Sequence, residues 1–255
     1  MIKAAFFDID GTLLSFETHR MPDSTKRALE LLQQNGVSII VASGRPLYQM
    51  PPSMRSGFDA YLTLNGQLCF DSEGVYRSVP IPRADADVVL GQIEDGLYDA
   101  LVLQRERSFV NRLTPRVQAT ATKAGLVYEP GDLALAYEAP IYQFCIFVDP
   151  GEEGVFMDAT TGLAQTRWTE LFCDVVPAEG GKNYGVAATL ERLGITPDEA
   201  IAFGDGGNDL SMFGAVGTSV AMGNAWDEVK EQASYVTSSV DDDGIYRACE
   251  HFGLI

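Results

Sequence analysis

One short segment constrains this chain more than any other: Lys3-Ala4-Ala5-Phe6-Phe7-Asp8-Ile9-Asp10-Gly11-Thr12-Leu13-Leu14. A continuous apolar run without alternation predicts a strand covered on both faces, as in a parallel sheet between helices. Residues i and i+2 of a strand share a side, so Asp8 and Asp10 are expected together at the carboxyl end of a buried strand. Two like charges that close are costly unless a cation or a shared proton relieves them. The pair therefore implies either a metal site or an acid–nucleophile pair.

The pattern around this segment predicts a layered α/β architecture. After the first strand comes a helix over residues 22–35, closed by Gly36, then the β-branched strand of residues 37–42 and a third strand over 60–64. A hairpin follows around Asp71-Ser72-Glu73-Gly74. From about Pro80-Ile81-Pro82 the order changes to helices (84–97, 115–124 and 152–159) and short strands (100–104, 108–112, 141–148, 163–168 and 173–176), an α+β module with a mostly antiparallel sheet. Alternation then resumes: helix 182–193, strand 200–203, a helix to about 213, strand 219–222, helix 226–231, strand 235–236 and helix 243–251. We expect an α/β, doubly wound parallel-sheet core formed by residues 1–81 and 182–255, with residues 82–181 inserted as a second domain. A chain of 255 residues, 46% of them hydrophobic, can bury cores of that size.

Composition narrows the function. A formal net charge of −18 lacks the basic footprint of nonspecific nucleic-acid binding and disfavours an anionic membrane surface. No apolar run approaches the roughly 18 residues of a membrane span, and the amino terminus lacks a signal-peptide pattern, so a cytoplasmic protein is expected. Cys69, Cys145, Cys173 and Cys249 have no C-x-x-C spacing and suit small buried hydrophobes in a reducing compartment. With only His19 and His251, a histidine-based zinc site or triad is disfavoured.

Ligands of open α/β sheets bind outside the carboxyl ends of the strands. Four loops are expected there: Asp8 to Thr12, Ser43 to Arg45, Asn65-Gly66 and Gly204 to Asp209, with Lys182 opening a helix just after the insert. Carboxylates, a hydroxyl, backbone amides, an amine and an amide side chain suit a phosphate together with a hard divalent cation. Singly, each signal has a bland alternative: a turn at Ser43-Gly44, a hairpin at Asn65-Gly66, a solvated helix start at Lys182, an N-cap at Asn208. The Asp-x-Asp-Gly string is no calcium loop, because its twelfth position is His19 rather than glutamate.

Jointly, Asp8-Ile9-Asp10-Gly11-Thr12-Leu13, Ser43-Gly44-Arg45, Lys182 and Gly204-Asp205-Gly206-Gly207-Asn208-Asp209 resemble, in order, the four motifs of the haloacid dehalogenase (HAD) superfamily. More narrowly the chain resembles the Cof-type phosphatases, whose large α/β cap (subclass IIB) lies between the second and third motifs. The stretch Phe16-Glu17-Thr18-His19-Arg20 is similar to bacterial hexose-phosphate phosphatases of this group. Gln67, where alanine often follows Asn-Gly, and the loose run Gly180-Gly181-Lys182-Asn183 depart from the pattern and bear on substrate preference.

The resemblance implies Asp8 as nucleophile and Asp10 as the acid and base. It implies Mg2+ held by Asp8, the main-chain carbonyl of Asp10, and Asp205. Ser43, the Gly44 amide, Lys182 and Asn208 would bind the phosphoryl group, with Thr12 and Asp209 supporting the site. Asn65 is expected at the leaving group. Arg105, Arg107 and Arg112 of the cap are expected as solvated surface in preference to substrate contacts. The implied activity is a Mg2+-dependent phosphomonoesterase acting on a small phosphate ester, a sugar phosphate above others, through an aspartyl-phosphate. A phosphosugar mutase or phosphotransferase and a non-catalytic sensor are the alternatives. A monomer with a mobile cap is the expected assembly.

Overall fold

A computed structural model of the chain describes residues 1–167 and 169–255. The first segment supplies β1 (Ala4–Phe7), α1 (Asp23–Gln34), β2 (Ser38–Ala42), β3 (Ala60–Thr63), β4 (Leu68–Asp71) and β5 (Gly74–Ser78). The middle supplies α2 (Arg83–Glu94), β6 (Asp99–Gln104), β7 (Ser108–Val110), α3 (Pro115–Lys123), β8 (Ile141–Phe147), α4 (Gly154–Met157), β9 (Leu163–Thr166) and β10 (Cys173–Pro177). The chain then returns through α5 (Lys182–Leu193), β11 (Ala200–Gly204), α6 (Leu210–Phe213), β12 (Thr218–Ala221), α7 (Asp227–Gln232), β13 (Tyr235–Val236) and α8 (Gly244–His251).

These strands form two sheets. The larger runs β13-β12-β11-β1-β2-β3-β4-β5, parallel from β13 to β3 and closed by the antiparallel hairpin β4–β5. β1 lies at its centre, with Phe6 opposite Ala202 on one side and Ile40 on the other. The smaller sheet, β7-β6-β8-β10-β9, is antiparallel throughout and belongs wholly to the middle segment.

The pleat explains why β1 carries no polar residue. Ala5 and Phe7 join the core beneath α1 and α8, while Ala4 and Phe6 join the core beneath α5 and α7. Both faces are buried, so both alternating sets must be apolar. The smaller sheet likewise has two apolar faces; one packs on α2, and the other includes Leu64 and Leu68 of the first segment.

Several expected elements differ in extent. β1 ends at Phe7, so Asp8 and Asp10 lie in the loop beyond it; that loop, rather than the strand's period of two, brings them together. The helix expected over 152–159 shrinks to Gly154–Met157, the strand over 108–112 ends at Val110, and the strand over 163–168 ends at Thr166, with Trp168 outside the described residues. The helix after β11 begins as a 3-10 turn at Gly207–Asp209 before the four residues of α6. Asp209 accounts for that tight start: one carboxylate oxygen accepts the amides of Asp205 and Gly206 at 2.9 and 3.0 Å.

Candidate active site

At the carboxyl ends of β1, β2 and β11 the predicted side chains surround one cavity of about 240 Å3, lined on the core side by Asp8, Asp10, Ser43, Gly44, Asp205 and Asn208. Lys182, the first residue of α5, is buried beneath it. Its Nζ donates to Asp8 Oδ1 at 2.5 Å and to Asp209 Oδ1 at 2.7 Å. Burial works against the charge of Lys182, but Asp209 and Asp8 outweigh it and hold the ammonium above its ordinary range. Asp209 is therefore a positioning group: one oxygen orients the lysine and the other fixes the turn that presents Asp205 and Asn208.

Gly11 is required by its backbone and by its neighbours. Its φ is +80°, and a side chain there would collide with the Asp205 carboxylate and the Phe16 ring. Thr12 Oγ1 donates to Asp205 Oδ1 at 3.3 Å. Asn224, which the sequence did not single out, binds the Gly11 carbonyl at 2.8 Å. Ser43 Oγ accepts the Arg45 amide at 3.1 Å.

The donor set can be tested against a cation. Oxygens of Asp8, Asp205 and Asp209 all lie within 4.8 Å of one another. Counting Asp10, four carboxylates face two cationic side chains, Lys182 and Arg45. Burial, and then the repulsion of the neighbouring carboxylates, pushes the Asp205 carboxyl well above its usual range. Burial also lifts Asp8, to about 7, against the pull of Lys182. Asp209 spends both oxygens on the protein, so Asp8 and Asp205 are left to face an ion. An all-oxygen set with excess negative charge fits a hard divalent cation of the Mg2+ type.

Two residues of the first segment carry the site across to the middle segment. Arg45 grips Asp10 with both arms, Nε to Oδ2 at 2.6 Å and Nη2 to Oδ1 at 2.5 Å, and the same Nη2 donates to the Ala124 carbonyl, at the end of α3, at 2.6 Å. Burial opposes the Arg45 charge, yet Asp10 more than restores it. In the sequence Arg45 is a motif residue whose own signal is a basic side chain at a strand end beside acidic loops.

Asn65 is the second bridge. Leu64, Asn65 and Gly66 all have positive φ, at 55°, 55° and 82°. This unusual turn aims the Asn65 amide into the cap. Its Nδ2 donates to Gln143 Oε1 at 3.1 Å and to Asp174 Oδ2 at 3.0 Å, and its Oδ1 accepts Asn208 Nδ2 at 3.2 Å. Asn65 thus does not line the cavity; it was expected to meet the leaving group, and instead its amide is consumed by residues that do line it.

The side of the cavity formed by the middle segment holds what the sequence missed: Gln143, Cys145 and Asp174 among apolar walls that include Leu103 and Phe172. Asp174 was legible in principle, as a lone carboxylate inside the apolar run Cys173-Asp174-Val175-Val176. The cap arginines lie elsewhere. Arg105 pairs with Glu106, Arg107 with Glu138 and Arg112 with Asp99, and none lines the cavity.

Burial lifts the Asp174 carboxyl from 3.8 to about 6, against the pull of its Asn65 and Cys145 hydrogen bonds. A carboxyl raised on folding stabilises the protein fully only below its unfolded pKa, and that contribution is lost as pH rises through the folded value. In Mg2+-free buffer, the melting temperature of Asp174→Asn should therefore gain on wild type as pH rises from 3.8 through about 6 and level off above it. A pH-independent offset would contradict this.

The haloacid dehalogenase-like hydrolase family matches residues 5–249 of the chain. YkrA of Bacillus subtilis (strain 168), provisionally named a phosphatase, is 34% identical over 257 residues, which cover 99% of this chain and 98% of the relative. The structure of the HAD subclass IIB sugar phosphatase BT4131 superposes with a TM-score of 0.92 at 34% identity, covering 99% of this chain and all of that one. The phosphatase BT1666 of Bacteroides thetaiotaomicron gives 0.90 at 36% identity, covering 100% and 96%.

Proposed function

Because this chain belongs to the haloacid dehalogenase-like hydrolases and is a phosphatase of that family, we propose that it is a Mg2+-dependent phosphomonoesterase acting on a small phosphorylated metabolite, a sugar phosphate, through an aspartyl-phosphate. The observation that carries this is the Lys182 ammonium, buried and shared between Asp8 and Asp209 at the base of a cavity that Ser43, Asn208 and Asp205 also line or adjoin. A buried amine beside a buried carboxylate neutralises the repulsion that an anionic ester would otherwise meet.

In this reading a carboxylate oxygen of Asp8 attacks phosphorus in line as the bond to the ester oxygen breaks. Asp10 gives the departing alkoxide its proton, then takes one from the water that attacks the aspartyl-phosphate, releasing phosphate and restoring Asp8. Ser43, the Gly44 amide, Lys182 and Asn208 hold the phosphoryl oxygens. Asp8, the Asp10 carbonyl and Asp205 would hold Mg2+, which when bound offsets charge on the transferring group. Residues 82–181 act as a cap that closes over the site and excludes bulk water.

The test is a phosphate-release screen over sugar phosphates and other small esters with purified protein. Mg2+ should support turnover, and chelation should reduce it by at least about a hundredfold. Full activity in excess chelator would refute the metal dependence. An isomeric sugar phosphate without free phosphate would favour a mutase.

A further inference from the structure

Asp174 is a buried carboxylate whose hydrogen-bonding partners are all neutral. Oδ1 accepts Gln143 Nε2 at 2.9 Å and Cys145 Sγ at 3.2 Å, and Oδ2 accepts Asn65 Nδ2 at 3.0 Å. Among the described residues it makes no ion pair. An ionised carboxylate offers about four acceptor positions, and three are filled. Burying such a charge without a directly paired cation is costly, and the more distant pull of Lys182 does not offset that burial. Yet it lines the cavity, and a side chain added at Gly44 would come within 3.4 Å of its Oδ2.

The surroundings define what can complete it. Leu103 and Phe172 of the cavity wall suit a carbon face, and the unfilled acceptor position lies on Oδ2, which takes only the Asn65 amide. A hydroxyl on the carbon next to the ester carbon would supply the missing donor. A carboxylate or second phosphate at that carbon would instead meet a buried negative charge. Lys123 also lines the cavity, so the discrimination concerns the substituent nearest Gly44 and not every anionic group on the substrate.

We propose that Asp174 is a specificity-determining residue that receives a hydroxyl of the leaving group next to the phosphoester and rejects substrates with an anionic group there. This rests on the phosphatase reading of the same site and narrows its substrate class to monophosphate esters of neutral polyols.

The experiment compares kcat/KM of the full chain with Mg2+ on three esters: glycerol 3-phosphate, with a hydroxyl on the carbon next to the ester carbon; phosphoglycolate, with a carboxylate there; and p-nitrophenyl phosphate, with neither. Asp174→Asn should lower the first by about 10- to 100-fold, because a site built around a hydroxyl loses its partner. It should raise the second by about fivefold or more, because a repulsive element has been removed. The third should stay within about threefold. Asp174→Ala, which removes the charge without adding donors, should give the same crossover if the Asn variant folds poorly. A uniform loss on all three esters, or no change on any, overturns the assignment of Asp174 alone. Absence of turnover of every ester by wild type overturns the phosphatase reading and this proposal with it.

Discussion

Asp8→Asn should release no measurable phosphate, a loss of at least about ten-thousand-fold in kcat, equivalent to roughly 5.5 kcal/mol of transition-state stabilisation. The loss comes without unfolding. In the metal-free protein the ionised Asp8 is already a burden, since burial lifts its carboxyl to about 7 despite Lys182. A neutral isostere relieves the crowding with Asp205 and Asp209 while Lys182 keeps its bond to Asp209. The variant should thus melt at or above the wild-type temperature in Mg2+-free buffer, and it should gain less from added Mg2+. Retained turnover would overturn the nucleophile assignment; a large drop in melting temperature would overturn the electrostatic account.

Lys182→Met should fail in both respects. Its ammonium is the cation shared by two buried carboxylates, at 2.5 and 2.7 Å. Removing one partner of such a group leaves charge buried and unpaired, which costs about 3–5 kcal/mol, a fall in melting temperature on the order of 10 °C for a chain this long. Turnover should fall by about a thousandfold or more, because the positive charge opposite the transferring phosphoryl is gone. The contrast between the two variants is diagnostic: one is inactive and stable, the other inactive and fragile. Calorimetry and a phosphate-release assay on matched samples separate them. Near-wild-type stability of Lys182→Met would show that the fold does not depend on this ion pair.

Much of this architecture was legible in the chain because burial on both faces of a parallel sheet forces apolar runs. Phe6-Phe7 and Ile39-Ile40-Val41 admit few other structures. Loops at the ends of such strands must converge, so Asp8, Ser43 and Asp205 were placed by topology before any distance was known. The extents of short helices escaped, since α4 and α6, although expected, are four residues long and carry too little periodicity to fix their bounds. Cap side chains escaped for a different reason. Antiparallel strands β8 and β10 show the same apolar runs whichever register they adopt, and only the register decides that Gln143 and Asp174 meet. The partners of Asn65 were not legible because its turn runs through three successive left-handed residues, which propensity does not anticipate for Leu64.

The central position of β1 also bears on how the protein is made. Its neighbour β2 emerges early, but its other neighbour, β11, begins at Ala200. Asp8 and Lys182 are 174 positions apart. During synthesis the first five strands therefore wait with the β1 edge unpaired, a template for wrong pairing and a surface for chaperones. Truncated products that stop before β11 should be insoluble and without activity, since neither the β11 side of the sheet nor Asp205 exists until the last quarter of the chain arrives.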